Sequence, residues 1–414
     1  MEPQMLNRKR FICDNQDEEP QSKTKKCLLD TDVTQRDKCG DPSSPQDCCA
    51  DHLDKSVALA QLISVWSDTE RTGKRVLLQL QSRETTENTL LNDSVNQRFL
   101  EFHRDITEEC GAEDKQHSWA VIEKKEEIVM YGPYYPKYNE GKHSEDVIIR
   151  QTEELLESNG AAQARTVYVF TMNSPCLSRN SEPPCMLKLV QKAKEWWLRF
   201  RVKTNIGYNK CWGFKGTKET MFRAVNFSQV EALRNSENYE EYTAQNMTGG
   251  NPVCENVYTL LRNLLNGEPF IFRLSLQGIE WKSYFKGMQT IPEAARVTEK
   301  LRHEISRMTE EAQSLSTETC LRAEEHVGRG QTFARDFSFD SQITQDATDD
   351  LRLAFQKCWE EMVRDKYAET LRDKLTDDFN QCANRLFIDD FVKVTSSFLR
   401  VGRIQCAGEK QQVT

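Results

Sequence analysis

No stretch of this chain approaches the ~18 consecutive apolar residues that would span a bilayer. Its first twenty residues, MEPQMLNRKRFICDNQDEEP, hold no apolar core of the kind a secretory leader carries. An excess of positive charge is also missing. The formal net charge is -9, which argues against a general nucleic-acid coat and leaves room only for a local basic groove. These absences predict no membrane association and an intracellular protein, nuclear or cytoplasmic. In that compartment the 14 cysteines are expected as thiols or metal ligands rather than disulfides. The Asn-x-Ser/Thr sequons at Asn92, Asn226 and Asn246 would then stand unused.

What is present suffices for two or three domains. There are 414 residues, of which 37 % are hydrophobic, enough for a real core. A mean hydropathy of -0.71 implies a large polar surface. Residues 1–54 are polar and show no sustained period, so a disordered tail is expected. Within it, Lys9-Arg10 and the KTKK run at 23–26 are spaced like a bipartite nuclear import signal. Cys39, Cys48, Cys49 and His52 match no common zinc spacing and read as solvated thiols with a nearby histidine.

Residues 55–235 carry the pattern of an α/β domain. Leu91, Val95, Phe99 and Ile106 fall near one helix face. SWAVIEKKEEIVMYG alternates Trp119, Val121, Ile128 and Met130 about a charged turn, as a hairpin does. A helix (EDVIIRQTEELLESNG), a doubly buried strand (TVYVFTMNSPC), a second helix opened by Pro183-Pro184 and a further strand (NIGYNKCWGFKG) follow. That order predicts a central sheet layered with helices. Residues 236–291, with CENVYTLLRNLLNG and PFIFRLS, read as an α/β extension. Residues 292–414 read as helical. Ala294, Leu301, Met308 and Leu315 recur every seventh residue, with Ile305 and Ala312 between them. This seam, within 292–325, is expected to pack internally or to serve self-association or a protein partner.

The chemistry-bearing residues come in order: His143-Ser-Glu145 at a helix start, a buried strand, Ser174-Pro175-Cys176, then Pro184-Cys185 at the next helix start. This arrangement resembles the zinc-dependent cytidine deaminase superfamily, in which an H-x-E helix and a P-C-x-x-C helix meet around one zinc. The resemblance covers roughly residues 115–235. It implies a three-layer deaminase-like sheet with flanking helices, zinc held by His143, Cys176 and Cys185, and Glu145 as the proton shuttle. It also implies hydrolytic deamination of a cytosine or adenine base, free or in single-stranded nucleic acid. The cysteines here are separated by eight residues, Leu177 to Pro184, where the family has two. The polar segment LSRNSEPP is therefore read as an inserted loop, as in branches resembling bacterial toxin-type deaminases.

Physical chemistry supports the same grouping. Unpaired N–H groups and a partial positive charge at a helix N-terminus favour thiolate. Two such thiolates and one imidazole leave a fourth zinc position open. The alternatives are a surface histidine beside a Ser144 helix cap, and two structural thiols. In KLVQKAKEWWLRFRVK, basic residues interleave with Trp196, Trp197 and Phe200. Trp196, with Tyr134 and Tyr135, is a candidate for substrate contact, and His117 and Tyr138 could wall the same pocket. A catalytically inactive deaminase-fold protein acting through its helical region is the competing functional reading.

Overall fold

The computed structural model describes residues 8–13, 22–26, 45–82, 89–158, 164–179, 182–214, 221–246, 251–266, 269–278, 280–290, 298–341 and 343–405. Two units are distinguished, Met1–Lys215 with Asp377–Thr414, and Gly216–Thr376.

The first unit contains β1 (Arg8–Ile12), β2 (Ser22–Lys26), α1 (Pro45–Ser67), α2 (Thr69–Gln81), α3 (Asp93–Cys110), β3 (Ser118–Lys124), β4 (Glu127–Tyr134), α4 (Ser144–Ser158), β5 (Ala164–Asn173), α5 (Cys185–Phe200) and β6 (Lys203–Lys210). The strand order is β2-β1-β4-β3-β5-β6, closed at the far edge by β7 (Leu399–Arg403). β3 runs antiparallel to both β4 and β5, whereas β5, β6 and β7 are parallel neighbours. Parallel pairing follows from α5, which carries the chain back across the sheet between β5 and β6.

The alternation read in the sequence divides the two faces. Trp119, Val121, Ile128 and Met130 join Phe99, Phe102 and Ile106 of α3 in one cluster. Trp119 stacks on Phe170 at 4.8 Å between centroids. The opposite face takes α4 and α5; Tyr131 hydroxyl meets Thr152 Oγ1 of α4 at 2.6 Å. The result is a three-layer α/β unit, as the sequence implied. α3 begins where Asn92 Oδ1 accepts from Val95 N–H and ends at left-handed Gly111.

Two segments depart from the sequence reading. The polar N-terminal segment supplies β1, which pairs in parallel with β4. Phe11 is buried there, Lys9 Nζ meets Asp105 at 2.7 Å, and Cys13 is disulfide-bonded to Cys110. A five-residue strand flanked by charge has too little apolar content to stand out. Lys9-Arg10 and the 23–26 run thus lie in β1 and β2, not in an unstructured tail. Cys39 and the side chains of Cys48, Cys49 and His52 lie outside the described residues. At the other end, the helical reading of 292–414 missed β7, whose LRVGR sequence extends the sheet beside β6.

The second unit contains α6 (Phe227–Arg234), α7 (Tyr239–Asn246), α8 (Glu255–Leu265), a 3-10 helix (Glu280–Thr290), α9 (Thr298–Glu311) and α10 (Ala323–Asp336). α11 (Gln345–Thr395) begins in this unit and ends in the first. PFIFRLS forms one isolated bridge, Phe272 with Leu321, rather than a strand. Its aromatic rings pack instead, Phe272 on His326 and Phe270 on Tyr367. Leu301, Ile305, Met308 and Ala312 of the heptad seam are buried within the chain, and Leu315 is partly exposed. Ala294 lies outside the described residues.

Candidate active site

The site forms where three chain segments meet at one end of the sheet. After β4, Lys137 and Lys142 bridge to each other, and Gly141 in the left-handed region turns the chain into His143. His143 N–H donates to the Asp146 carboxylate at 3.0 Å, which satisfies the first turn of α4. Beyond β5, Ser174 N–H bonds Lys210 carbonyl at 2.8 Å and Ser174 Oγ accepts from Trp212 N–H at 2.7 Å. These bonds fix the exits of β5 and β6 side by side. Pro184 then leads into α5, whose first residue is Cys185.

The three sequence-derived ligands converge. His143 Nδ1 lies 3.7 Å from Cys176 Sγ and 3.4 Å from Cys185 Sγ. The three donor atoms lie within 4.8 Å of one another. Zinc–sulfur and zinc–nitrogen bonds of about 2.3 and 2.05 Å at tetrahedral angles require N···S edges of about 3.6 Å. The donor set and its spacing therefore fit zinc.

Electrostatics agree. Cys185 N–H, at the head of α5, points to Cys176 Sγ at 3.4 Å. The Cys176 thiol is pulled down to about 5, first by its bond with the Cys185 thiol and then, against burial, by His143 and that N–H. Cys185 is pushed up, first by the same shared bond and then by burial. The two sulfurs thus keep one proton between them, which cation binding would release. His143 is raised, first by its bond to Cys176. Glu145 is 3 % exposed. Burial, and secondly the charge at Cys176, push its carboxyl up to about 7. Ser144 Oγ donates to Glu145 at 3.2 Å and is itself 2.7 Å from Ser118 Oγ, so the carboxylate is held from behind.

The segment between the cysteines is anchored by Arg179, whose side chain is 7 % exposed. Its guanidinium takes Asp146 at 2.9 Å, bonds the Gly141 carbonyl and comes within 3.9 Å of Cys185 Sγ. Lys188 of α5 reaches the same Asp146 at 3.0 Å. One carboxylate thereby ties together the segments that carry all three ligands.

A cleft of about 200 Å³ opens beside the cluster, walled by His143, Glu145, Cys176, Tyr138, Asn173 and Trp212, among others. Tyr138 and Trp212 are 69 % and 45 % exposed, aromatic surface placed beside the donor atoms. Trp212 and Asn173 went unread in the sequence. Their signal was position: each stands at the carboxyl end of a parallel strand, where α/β sheets place ligands.

The other candidates sit elsewhere. Trp196 is fully buried on α5, and eleven residues at 1.5 Å rise put it roughly 16 Å from Cys185. Tyr134 is 7 % exposed within β4. Tyr135 packs on His117 at 6.0 Å and its hydroxyl accepts from Glu113 N–H. His117 is itself 1 % exposed. None of the four lines the cleft. On α5, Lys192 pairs with Glu153 and Arg199 with Glu157, so these basic residues bridge to α4 rather than form an open phosphate track.

A three-layer sheet with an H-x-E helix, a P-C helix and a His-Cys-Cys cluster at its carboxyl end defines a cytidine deaminase-like protein. The family model described as Secreted Novel AID/APOBEC-like Deaminase 3 matches residues 33–401. The chain belongs to that family; the superfamily resemblance stands, and its branch is the AID/APOBEC-like one. Neither the curated proteins nor the solved structures yield a match. The family's description as secreted overturns the intracellular expectation. The Cys13–Cys110 disulfide agrees, since such bonds persist in oxidising compartments.

Proposed function

We propose that the protein is a zinc-dependent hydrolytic deaminase of a cytosine or adenine base, presented as a nucleoside, a nucleotide or single-stranded nucleic acid. The observation that carries this is the convergence of His143 Nδ1 with the sulfurs of Cys176 and Cys185 beside a buried carboxylate. Zinc held by these three atoms would supply a water acidic enough to serve as nucleophile near neutral pH. Glu145 then takes the two protons of the attacking water in turn on a carboxylate oxygen. The first goes to the ring nitrogen of the base. The second, released as the C=O forms and the C–N bond breaks, goes to the amine, which leaves as ammonia. Ser144, bonded to Glu145, keeps that carboxylate aimed. Tyr138 and Trp212 stack the base at the mouth, an arrangement that tolerates several bases because each presents a π face.

The test is Glu145→Gln. It is expected to keep metal content at the wild-type level while deamination of cytosine- and adenine-containing nucleosides and single strands falls at least ~100-fold, the scale of a lost general acid–base. Wild-type protein that is zinc-loaded yet inactive across that panel overturns the reading.

A further inference from the structure

The three sequons differ sharply in their surroundings. Asn92 and Asn226 are exposed and sit at the N-caps of α3 and α6. Asn92 Oδ1 accepts from Val95 N–H at 3.1 Å, and Asn226 Oδ1 accepts from Gln229 N–H at 2.9 Å. Because Oδ1 makes the cap bond, the carboxamide nitrogen Nδ2 is not needed for it. The hydroxyl residue two positions on, Ser94 or Ser228, is exposed in both. Asn246 is the opposite case. It is 9 % exposed, and its Nδ2 donates inward to the Tyr242 carbonyl at 2.8 Å. A sugar on that nitrogen would have to break this bond.

We infer that Asn92 and Asn226 are N-glycosylation sites and that Asn246 is not. The donor is a lipid-pyrophosphate-linked oligosaccharide met in the secretory pathway. Asn Nδ2 attacks the anomeric carbon and an N–C bond forms. The C–O bond to pyrophosphate breaks, the leaving phosphate oxygen keeps the electron pair, and one Nδ2 proton passes to the transferase's base. Both modifications are compatible with the fold, because each cap uses Oδ1 and the glycan uses Nδ2. Asn92 also stands at the rim of an apolar groove of about 360 Å³, lined by Leu90, Phe387, Phe391 and Leu399 beside edge strand β7. A hydrophilic glycan there would cover exposed apolar surface at the mouth of that groove. Neither asparagine lines the His143 cleft.

The test uses the full chain, directed into the secretory pathway of cultured eukaryotic cells by an appended signal sequence. Intact mass and glycopeptide mass are read before and after peptide-N-glycanase. Ser94→Ala and Ser228→Ala each destroy a sequon while leaving the asparagine cap in place. Each is expected to remove one glycan mass, and the double variant both. Thr248→Ala is expected to change nothing but its own residue mass. Circular dichroism spectra superposable with wild type verify the folding of every variant. Secreted protein bare at Asn92 or Asn226, or glycosylated at Asn246, overturns the inference.

Discussion

Among single residues, Asp146 matters to the site as much as the three candidate metal donors whose segments it ties together. His143 N–H, Arg179 and Lys188 all converge on its carboxylate. Partners that orient metal ligands are typically worth 10–100-fold in metal affinity. Asp146→Asn and Arg179→Ala are therefore each expected to weaken zinc binding by about that factor, with the loss read by competition against a chromogenic chelator. Unchanged affinity in both folded variants would show that the eight-residue spacing needs no such clasp. The three candidate donors that the structure brings together were legible, because a helix start announces itself through Pro, Ser and a turn before it. Arg179 was not: it meets Asp146 thirty-three positions earlier in the chain, a contact no local pattern encodes. Trp196 was misplaced for the complementary reason. A tryptophan among lysines reads alike whether it faces substrate or core, and only the fold decides.

Elements expose a second, pH-dependent tie. α2 and the end of α11 are held together by Asp390, which accepts two bonds from Arg75 at 2.6 and 2.9 Å and one from Trp66 Nε1 at 2.9 Å. Burial opposes the Asp390 charge, but the Arg75 and Trp66 bonds outweigh it and hold the pKa below the ordinary aspartate value. A depressed carboxylate contributes stability that is present above the unfolded-state value of about 3.9 and lost as pH falls through the folded value. Asp390→Asn is thus expected to cost about 1 kcal/mol at neutral pH, modest because Arg75 is partly screened by solvent. Urea denaturation at pH 7 and at acidic pH checks it: the gap between wild type and variant should shrink in acid. A pH-independent gap would mean that packing rather than charge holds the helix. The same elements show what period alone conveys. The hairpin, α4 and α5 were readable because their apolar residues recur at two or near 3.6, and β5 because its apolar run is continuous. β1 and β7 were not, because five residues beside charges give a strand too little pattern to register.

For the whole molecule, the bridge between Cys13 and Cys110 bears most on where it works. Cys13 and Cys110 are joined across 97 positions, stapling β1 to the end of α3. Cys13→Ser is expected to lower unfolding free energy by about 2–5 kcal/mol, measured under non-reducing conditions. No difference would mean the bridge is not formed in solution. The intracellular expectation rested on the absence of an apolar leader and of a membrane-spanning run, and the reading of the cysteines as thiols or metal ligands followed from it. The family's description and this bridge correct both. The zinc content of purified secreted protein is the most direct measurement of all. About one zinc per chain is expected, lost in Cys176→Ser and in Cys185→Ser while the circular dichroism of both stays folded. Wild-type protein without zinc, or serine variants that retain it in full, would contradict the metal centre on which the deaminase chemistry stands.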